Sequence, residues 1–95
     1  MLTKSLENLL ERLEELNPEA VVLGDLNNCI IGMCVSRGNY ILLYSGNAIV
    51  KHFEKNMSRE EAEDYYVFNI ENAYFGEGSP VILFEEDMIE DKKWL

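Results

Sequence analysis

Basic residues and histidine are scarce in this chain. Among 95 residues, eight are Lys or Arg, 18 are Asp or Glu and one is histidine, so the formal net charge is −10. A nucleic-acid-binding surface needs clustered Lys and Arg to contact phosphates, and we therefore expect no free nucleic acid as a partner. The same imbalance keeps a protein soluble and attracts it to basic surfaces.

Motifs that carry chemistry are also missing. The sequence has no C-x-x-C, no H-E-x-x-H and no calcium-loop pattern, and Gly76-Glu77-Gly78 lacks the spacing of a phosphate-binding loop. The one histidine, His52, falls in a predicted short helix, where we expect an exposed position without a catalytic partner. We accordingly predict no metal, no cofactor and no enzymatic activity.

Cysteines and long apolar runs are few. Cys29 and Cys34 are five residues apart in a predicted strand, so they should lie on opposite faces and not bond to each other. Two unpaired cysteines favour a reducing compartment. No apolar run approaches the ~20 residues of a membrane span, and the start of the chain is too charged for a signal peptide. We expect a cytoplasmic protein with no membrane partner.

What the chain does have is regular hydrophobic patterning. Hydrophobic residues make up 47% of the sequence, which is enough for one domain over residues 1–95, with residues 86–95 as a charged tail. A leucine stripe at helical spacing predicts a helix over residues 3–16. Asn17-Pro18 ends that helix, because the residue before proline avoids the helical region.

Apolar runs predict the strands. Residues 19–24 read as a short strand or an extended segment, and residues 29–36 and 40–44 read as two strands joined by a hairpin turn at Arg37-Gly38-Asn39. Gly32 marks either a bulge or the close approach of another backbone. Both hairpin strands are apolar on two faces, which favours a central place in the sheet.

The second half of the chain opens with a helix start signal. A short helix is predicted at residues 48–55, and Ser58 and Glu61 form the S-x-x-E capping box of the next helix. That helix is predicted to continue until Gly76 caps it, and residues 81–84 form a last strand. The apolar residues that fill the helix after its first turns are Tyr65, Tyr66, Phe68, Ile70, Tyr74 and Phe75.

The order of these elements predicts the fold class. We expect an α+β fold, a small antiparallel or mixed three- to four-stranded sheet with an N-terminal helix and two central helices packed on it. The aromatic residues exceed what a monomer of 95 residues comfortably buries. The aromatic helix is therefore predicted to contribute a subunit interface or a pocket.

Two sets of polar residues are candidates for function. The first is a set of carboxylates on helix faces, either an acidic surface that imitates a phosphate backbone or an ordinary solvated face. The second surrounds Asn69, which shares a helix line with Tyr66 and should therefore point inward and be hydrogen-bonded. The candidate acidic surface comprises Glu7, Glu11, Glu14, Glu60, Glu63 and Asp64. The candidate pocket or interface comprises Asp25, Tyr44, Asn69, Tyr74 and Glu77.

Several phrases of the sequence together resemble a protein family. They are L-N-P-E-A at residues 16–20, Asp25 before I-I-G at residues 30–32, Tyr44, M-S-x-E-E-A from Met57, F-N-I from Phe68, and Y-x-G-E-G-S-P from Tyr74. In these phrases the chain resembles short, uncharacterised proteins encoded by bacteriophages and other prokaryotic viruses. Those proteins often carry Tyr-Asp where this chain has Tyr44-Ser45.

The resemblance implies a viral accessory protein located in the host cell cytoplasm. With the acidic composition, it leads us to expect a binding protein whose partner is a host or viral protein with a basic surface, for example a host factor or defence system that it inhibits. A small-ligand binder with a site at a subunit interface near residues 76–79 is the alternative, and this version includes a homo-oligomer. A hydrolytic enzyme that uses Asp25, Glu77 or His52, and a virion structural protein, are the remaining options.

Overall fold

The computed structural model describes residues 4–84. Within this range the chain forms a three-stranded mixed sheet with an N-terminal helix and two further helices, which confirms the predicted α+β class. The predicted tail at residues 86–95 lies outside the described residues. No helix within residues 4–84 combines the length and the apolar character that crossing a membrane requires.

The first helix, α1 (Lys4–Leu16), directs the middle of its predicted leucine stripe to the core, whereas Leu16 at its end is exposed. Leu13 is buried and Leu9 and Leu10 pack against the core, while the helix rests on the first two strands. The chain then leaves the helix at Asn17, whose N–H still bonds to the Leu13 carbonyl (2.7 Å between N and O). The amphipathic pattern therefore fixes both the helix and the face that it buries.

Residues 19–24 form no strand: residues 20–23 have no regular secondary structure and are bounded by turns at residues 18–19 and 24–25. The Val21 N–H donates to the Gly78 carbonyl (2.9 Å) and the Leu23 N–H donates to the Tyr44 hydroxyl (2.8 Å). These amides are thus satisfied by a loop and by a side chain in place of a strand ladder. At the end of this segment Asp25 has a φ of 63°, a left-handed conformation that is uncommon for a residue other than glycine.

The predicted hairpin is present. Strands β1 (Ile30–Ser36) and β2 (Asn39–Ser45) pair antiparallel, and Arg37 and Gly38 turn between them with φ of 52° and 82°. Two successive positive φ values are those of the type I′ turn that two-residue hairpins favour. The register shifts between Ile30 and Gly32, and a Cβ on Gly32 would meet nothing within 4 Å. Of the two interpretations of Gly32, the bulge is correct.

The third strand determines which strand is central. β3 (Val81–Leu83) runs parallel to β2 on the side away from β1, so the sheet order is β1-β2-β3. The expected central position is correct for β2 and wrong for β1, which lies at an edge of the described sheet. The residues that lead into β3 are tied to Val21 through Gly78, which brings β3 to the far side of β2.

The two further helices begin at side-chain caps. α2 (Gly46–Phe53) starts with the Ser45 hydroxyl accepting the Ala48 N–H at 3.1 Å, and Ile49 and Val50 are fully buried. α3 (Arg59–Tyr66) starts with the predicted capping box, in which Ser58 and Glu61 each accept the backbone N–H of the other. These helices close the core over Leu42 and Tyr44, and α3 packs mainly on α2.

The end of α3 differs from the prediction. The helix widens into a π-helical turn at Val67–Glu71 and ends at Asn72, whose N–H bonds to the Val67 carbonyl (3.2 Å). The predicted continuation to Gly76 is wrong. Gly76, with a φ of 94°, instead closes a separate turn in which its carbonyl accepts the Ser79 N–H (3.1 Å). Apolar composition alone does not keep residues 72–76 helical, because most of the large apolar side chains after Tyr66 do not pack against the core.

Candidate functional site

The aromatic turn, which we define as residues 65–75, presents most of its large side chains to solvent. Tyr66 is buried, at 3% exposure, whereas Phe68 and Tyr74 are 80% and 78% exposed. Tyr65, Val67 and Phe75 are exposed as well. The excess of aromatic residues noted in the sequence is thus resolved by exposure, with one ring in the core and the others on the surface.

The aromatic turn is nevertheless held in place by specific contacts. The Phe53 and Tyr65 rings meet edge to face, with their centroids 4.8 Å apart. The Asn69 amide nitrogen donates to the Tyr65 carbonyl (3.0 Å), and the Phe75 N–H donates to the Ser79 hydroxyl (2.7 Å). Asn69 is exposed, so the expectation that it points inward is wrong. Ile70, the next residue, packs against the core instead.

The predicted acidic residues are all exposed, but they lie on separately supported helices. Glu7, Glu11 and Glu14 lie on α1, which packs on the hairpin, and Glu60, Glu63 and Asp64 lie on α3, which packs on α2. Glu63 accepts from Arg59 (3.1 Å), which also reaches Glu54 (3.5 Å). Within residues 4–84, the three α1 carboxylates form no ion pair. Carboxylates on α1 are therefore more available to a partner than Glu63 is.

The five predicted pocket residues do not converge on one site. Tyr44 is fully buried, and its hydroxyl accepts the Leu23 N–H, so it holds the segment after α1 to β2. Burial raises the pKa of the Tyr44 phenol. Asp25 and Asn69 line one cleft, whereas Tyr74 and Glu77 line a different groove. The predicted residues thus contribute to two surface sites and one core contact.

The first of these sites, the His52 cleft, has a volume of about 290 Å³. Asp25, His52, Phe53, Tyr65 and Asn69 line it together with aliphatic residues. His52 is half-buried, and its Nδ1 is buried without a hydrogen-bond partner within residues 4–84. The sequence placed this histidine on an exposed helix face. The sequence signal for this position is the neighbouring Phe53, whose ring centroid lies 5.9 Å from that of the imidazole.

The second site, the hairpin groove, lies between the hairpin turn and the residues around Gly76 and has a volume of about 530 Å³. Arg37, Asn39, Tyr74, Glu77 and Ser79 contribute its polar groups. An adjoining hollow of about 280 Å³ shares Asn39 and Glu77 with it. Gly78 fixes the loop beside both, because a Cβ there would overlap the Glu19 carbonyl oxygen. Only glycine allows this backbone to approach so closely.

The ionisable groups with shifted pKa values serve the structure. Burial raises the pKa of the Cys29 thiol and so disfavours its reactive thiolate. Burial, helped by the nearby Glu71 carboxylate, raises the pKa of Tyr66 to about 12. Hydrogen bonds to Ser58, the backbone one first, hold the pKa of the Glu61 carboxyl below its usual value. Across residues 4–84, no cluster of three or more His, Cys, Asp and Glu side chains could hold a metal ion.

Comparison of the chain with protein-family models, with curated proteins and with solved structures found no match.

Proposed function

We propose that this protein is a binding protein without catalytic activity, which contacts a basic protein partner through the aromatic turn and the carboxylates around it. The observation that supports this most directly is the exposure of Phe68 and Tyr74, at 80% and 78%. A surface segment that exposes several large apolar side chains commonly marks an interaction site. Aromatic residues are also the side chains most enriched at protein interfaces.

The contacts within the aromatic turn favour this role over a merely loose segment. Its backbone is fixed by the bonds of Asn69 to Tyr65, of Asn72 to Val67 and of Phe75 to Ser79. Rings on a backbone that is already ordered lose little conformational entropy when a partner binds. The energy of burying Phe68 and Tyr74 is then available for affinity.

The charges around the aromatic turn favour a basic partner. Asp64, Glu71 and Glu77 are all exposed within or beside the turn. A Lys or Arg side chain placed over an aromatic face is attracted by the ring, and a carboxylate beside it adds an ion pair. The net charge of −10 would also accelerate the approach of a basic surface. The α1 carboxylates Glu7, Glu11 and Glu14 supply a further acidic face.

A viral accessory role is part of this proposal. The resemblance to phage-encoded proteins, seen in the sequence, suggests that the partner belongs to the host and that binding inhibits a host factor or a defence protein. A protein of this kind needs an exposed binding surface and no reaction centre.

The test is affinity capture from host lysate, followed by titration of the purified partner. The Phe68→Ser, Tyr74→Ser double variant should lose the partner, because both large exposed rings are removed. Val22→Ser, which removes an exposed apolar side chain elsewhere, is the matched control and should bind like wild type. Binding should also weaken as salt rises. Equal capture by the double variant would contradict the aromatic contact, and capture that is insensitive to salt would contradict the basic partner.

A small-ligand binding protein is the second candidate, and the hairpin groove is the observation that favours it. Donors and acceptors from two parts of the chain, Arg37 and Asn39 on one side and Glu77 and Ser79 on the other, face a single groove of about 530 Å³. A thermal-shift screen with nucleotides and metabolites tests this function. A ligand at 100 times its Kd should add about 2.7 kcal/mol of stability, and Arg37→Ala and Glu77→Gln should abolish the shift. A screen without any shift would leave the protein-binding function as the sole candidate.

A further inference from the structure

Within residues 4–84, the outer edge of β1 has no neighbouring strand. β1 pairs with β2 on one side only, and none of its seven residues is charged or proline. Val35 is 59% exposed and Ile31, at the bulge, is 48% exposed. Natural sheets usually protect such an edge with lysine, proline or a bulge, because unpaired main-chain groups bind other strands. Here the bulge protects only the start of β1, and residues 32–36 remain a regular, uncharged edge.

The hairpin register shows which main-chain groups face outward. A two-residue hairpin closes on a hydrogen-bonded pair, which here is Ser36 and Asn39. Bonded and non-bonded pairs alternate from that point, so the main-chain groups of Cys34 point towards β2. Those of Met33 and Val35 point away from β2 and have no main-chain partner among the described residues. The outward groups are therefore placed symmetrically on either side of Cys34.

We propose that two copies of this chain associate through the outer edges of β1, antiparallel, about a two-fold axis at Cys34. Met33 of each copy then lies opposite Val35 of the other copy, and both pairs exchange main-chain hydrogen bonds. The two three-stranded sheets become one continuous sheet. An axis at Met33 would instead oppose Val35 to Ile31, where the bulge disturbs the spacing of the main-chain groups.

A second copy fits this edge for two reasons. The outward main-chain groups are self-complementary about Cys34, as an isologous interface requires. The side chains that meet, Met33 and Val35, are both apolar and carry no charge that would repel its own copy. Pairing also covers Val35, the most exposed aliphatic side chain of the hairpin. This inference concerns a surface separate from the aromatic turn and does not depend on the proposed function.

The charge of the chain opposes this association and gives it a recognisable signature. Each copy has a net charge of −10, and α1, with Glu7, Glu11 and Glu14, packs on the hairpin that carries the edge. Salt screens the repulsion between two such surfaces. Self-association should therefore strengthen as salt rises, whereas binding of a basic partner should weaken.

The first test is sedimentation of the full chain over a range of concentrations and at two salt concentrations. The proposal predicts a concentration-dependent dimer that is tighter at the higher salt. Val35→Lys should weaken it by about tenfold or more, because two lysines are placed in the joined edge. Val22→Lys adds the same charge at an exposed valine elsewhere. It should leave the dimer intact, apart from the general effect of one added positive charge per copy. A monomer at every concentration would overturn the proposal, as would a dimer that Val35→Lys leaves unchanged.

The second test uses the native cysteines and does not depend on the folding of a lysine variant. In the paired edge, Cys34 faces Cys34 of the partner copy as a non-bonded pair, with Cα atoms about 4.5 Å apart, inside the range that a disulfide spans. Diamide, which is the oxidant and accepts the two electrons and two protons of the thiols, should convert the wild-type dimer into a disulfide-linked one. Cys34→Ser should prevent the link and the buried Cys29→Ser should not. A linked dimer that forms equally well in Cys34→Ser would overturn the proposed axis.

Discussion

The two halves of the segment after Met57 behave differently although both look helical in sequence. Residues 59–66 form α3, with both partners of the capping box in place, and bury Ala62 and Tyr66. Residues 67–75 are more apolar, yet they leave the α-helix through a π-helical turn and expose Phe68 and Tyr74. Local hydrogen bonds fix where a helix starts, whereas hydrophobic side chains bury themselves only where the rest of the fold supplies a surface.

Truncating one ring from each half tests the difference between them with the largest expected effect. Tyr66→Ala should lower the free energy of unfolding by about 3–5 kcal/mol, because it empties a filled core site. Phe68→Ala, two residues later, should change it by less than about 0.5 kcal/mol, because its ring is solvated. Urea unfolding of both variants measures the difference. Comparable losses would show that the Phe68 ring also belongs to the core.

The contact of the loop after residues 67–75 with residues 19–21 can be tested at Gly78. Gly78→Ala should destabilise the protein by about 1–3 kcal/mol, because the added Cβ overlaps the Glu19 carbonyl and pushes the loop off Val21. Gly24→Ala, where nothing lies within 4 Å of the added Cβ, is the matched control and should be tolerated. Thermal unfolding measures both variants, and a neutral Gly78→Ala would contradict the close approach of Gly78 to Glu19.

Two buried tyrosines differ in whether the hydroxyl is hydrogen-bonded, so removing each hydroxyl should affect stability differently. Tyr44→Phe leaves the buried Leu23 N–H without its acceptor and should cost about 1–3 kcal/mol. Tyr66→Phe removes a buried hydroxyl that has no partner within residues 4–84, so it should be neutral or stabilising. Urea midpoints of the two variants give the comparison, and an equal loss would show that the Tyr66 hydroxyl has a partner after all.

The same hydroxyl predicts an alkaline dependence. The folded chain holds the Tyr66 proton up to a pKa of about 12, above the value near 10 of the unfolded chain. The stability that this provides is fully present below pH ~10 and is lost as pH rises towards ~12. Wild type should therefore lose stability over this window faster than Tyr66→Phe. Parallel loss in both proteins would assign the alkaline transition to other groups.

The smallest expected effect is that of the capping box at the start of α3. Ser58→Ala should lower the free energy of unfolding by about 1 kcal/mol, because the Glu61 N–H loses its acceptor.

The lowered pKa of Glu61 makes the same capping box depend on pH. The stability from the hydrogen bonds of Glu61 to Ser58 is present above the unfolded pKa and is lost as pH falls through the lower folded pKa. The difference between wild type and Glu61→Gln should accordingly shrink in acid. Urea unfolding at neutral and acidic pH measures it, and a constant difference would remove the capping box as its source.

Much of the fold could be predicted from short-range signals. The leucine stripe predicts α1, the Arg37-Gly38 turn predicts the hairpin, and the capping box predicts the start of α3. Each of these features is determined by residues that are close in sequence. The end of α3 and the edge position of β1 depend on contacts between distant parts of the chain. The packing of Gly78 against residues 19–21 is one such contact, and the hydrophobic pattern of the sequence does not predict it.

The candidate sites were less predictable than the fold for the same reason. Loops from separate elements meet to place Asp25 near Asn69 in one cleft and Tyr74 near Glu77 in another. Tyr44 instead lies in the core, where its hydroxyl accepts the Leu23 N–H. The acidic residues were found exposed because charge predicts exposure directly. Their distribution between α1 and α3 required the packing of those helices to be known.

The proposed function requires the exposed Phe68 and Tyr74 to serve binding and not the core, against which Ile70 of the same segment packs. Isothermal titration of a purified partner into the Phe68→Ser, Tyr74→Ser variant, with urea unfolding of the same sample, measures both binding and folding. Binding should be lost while the free energy of unfolding stays within about 0.5 kcal/mol per substitution of wild type. Undiminished binding, or a variant that no longer folds, would contradict it.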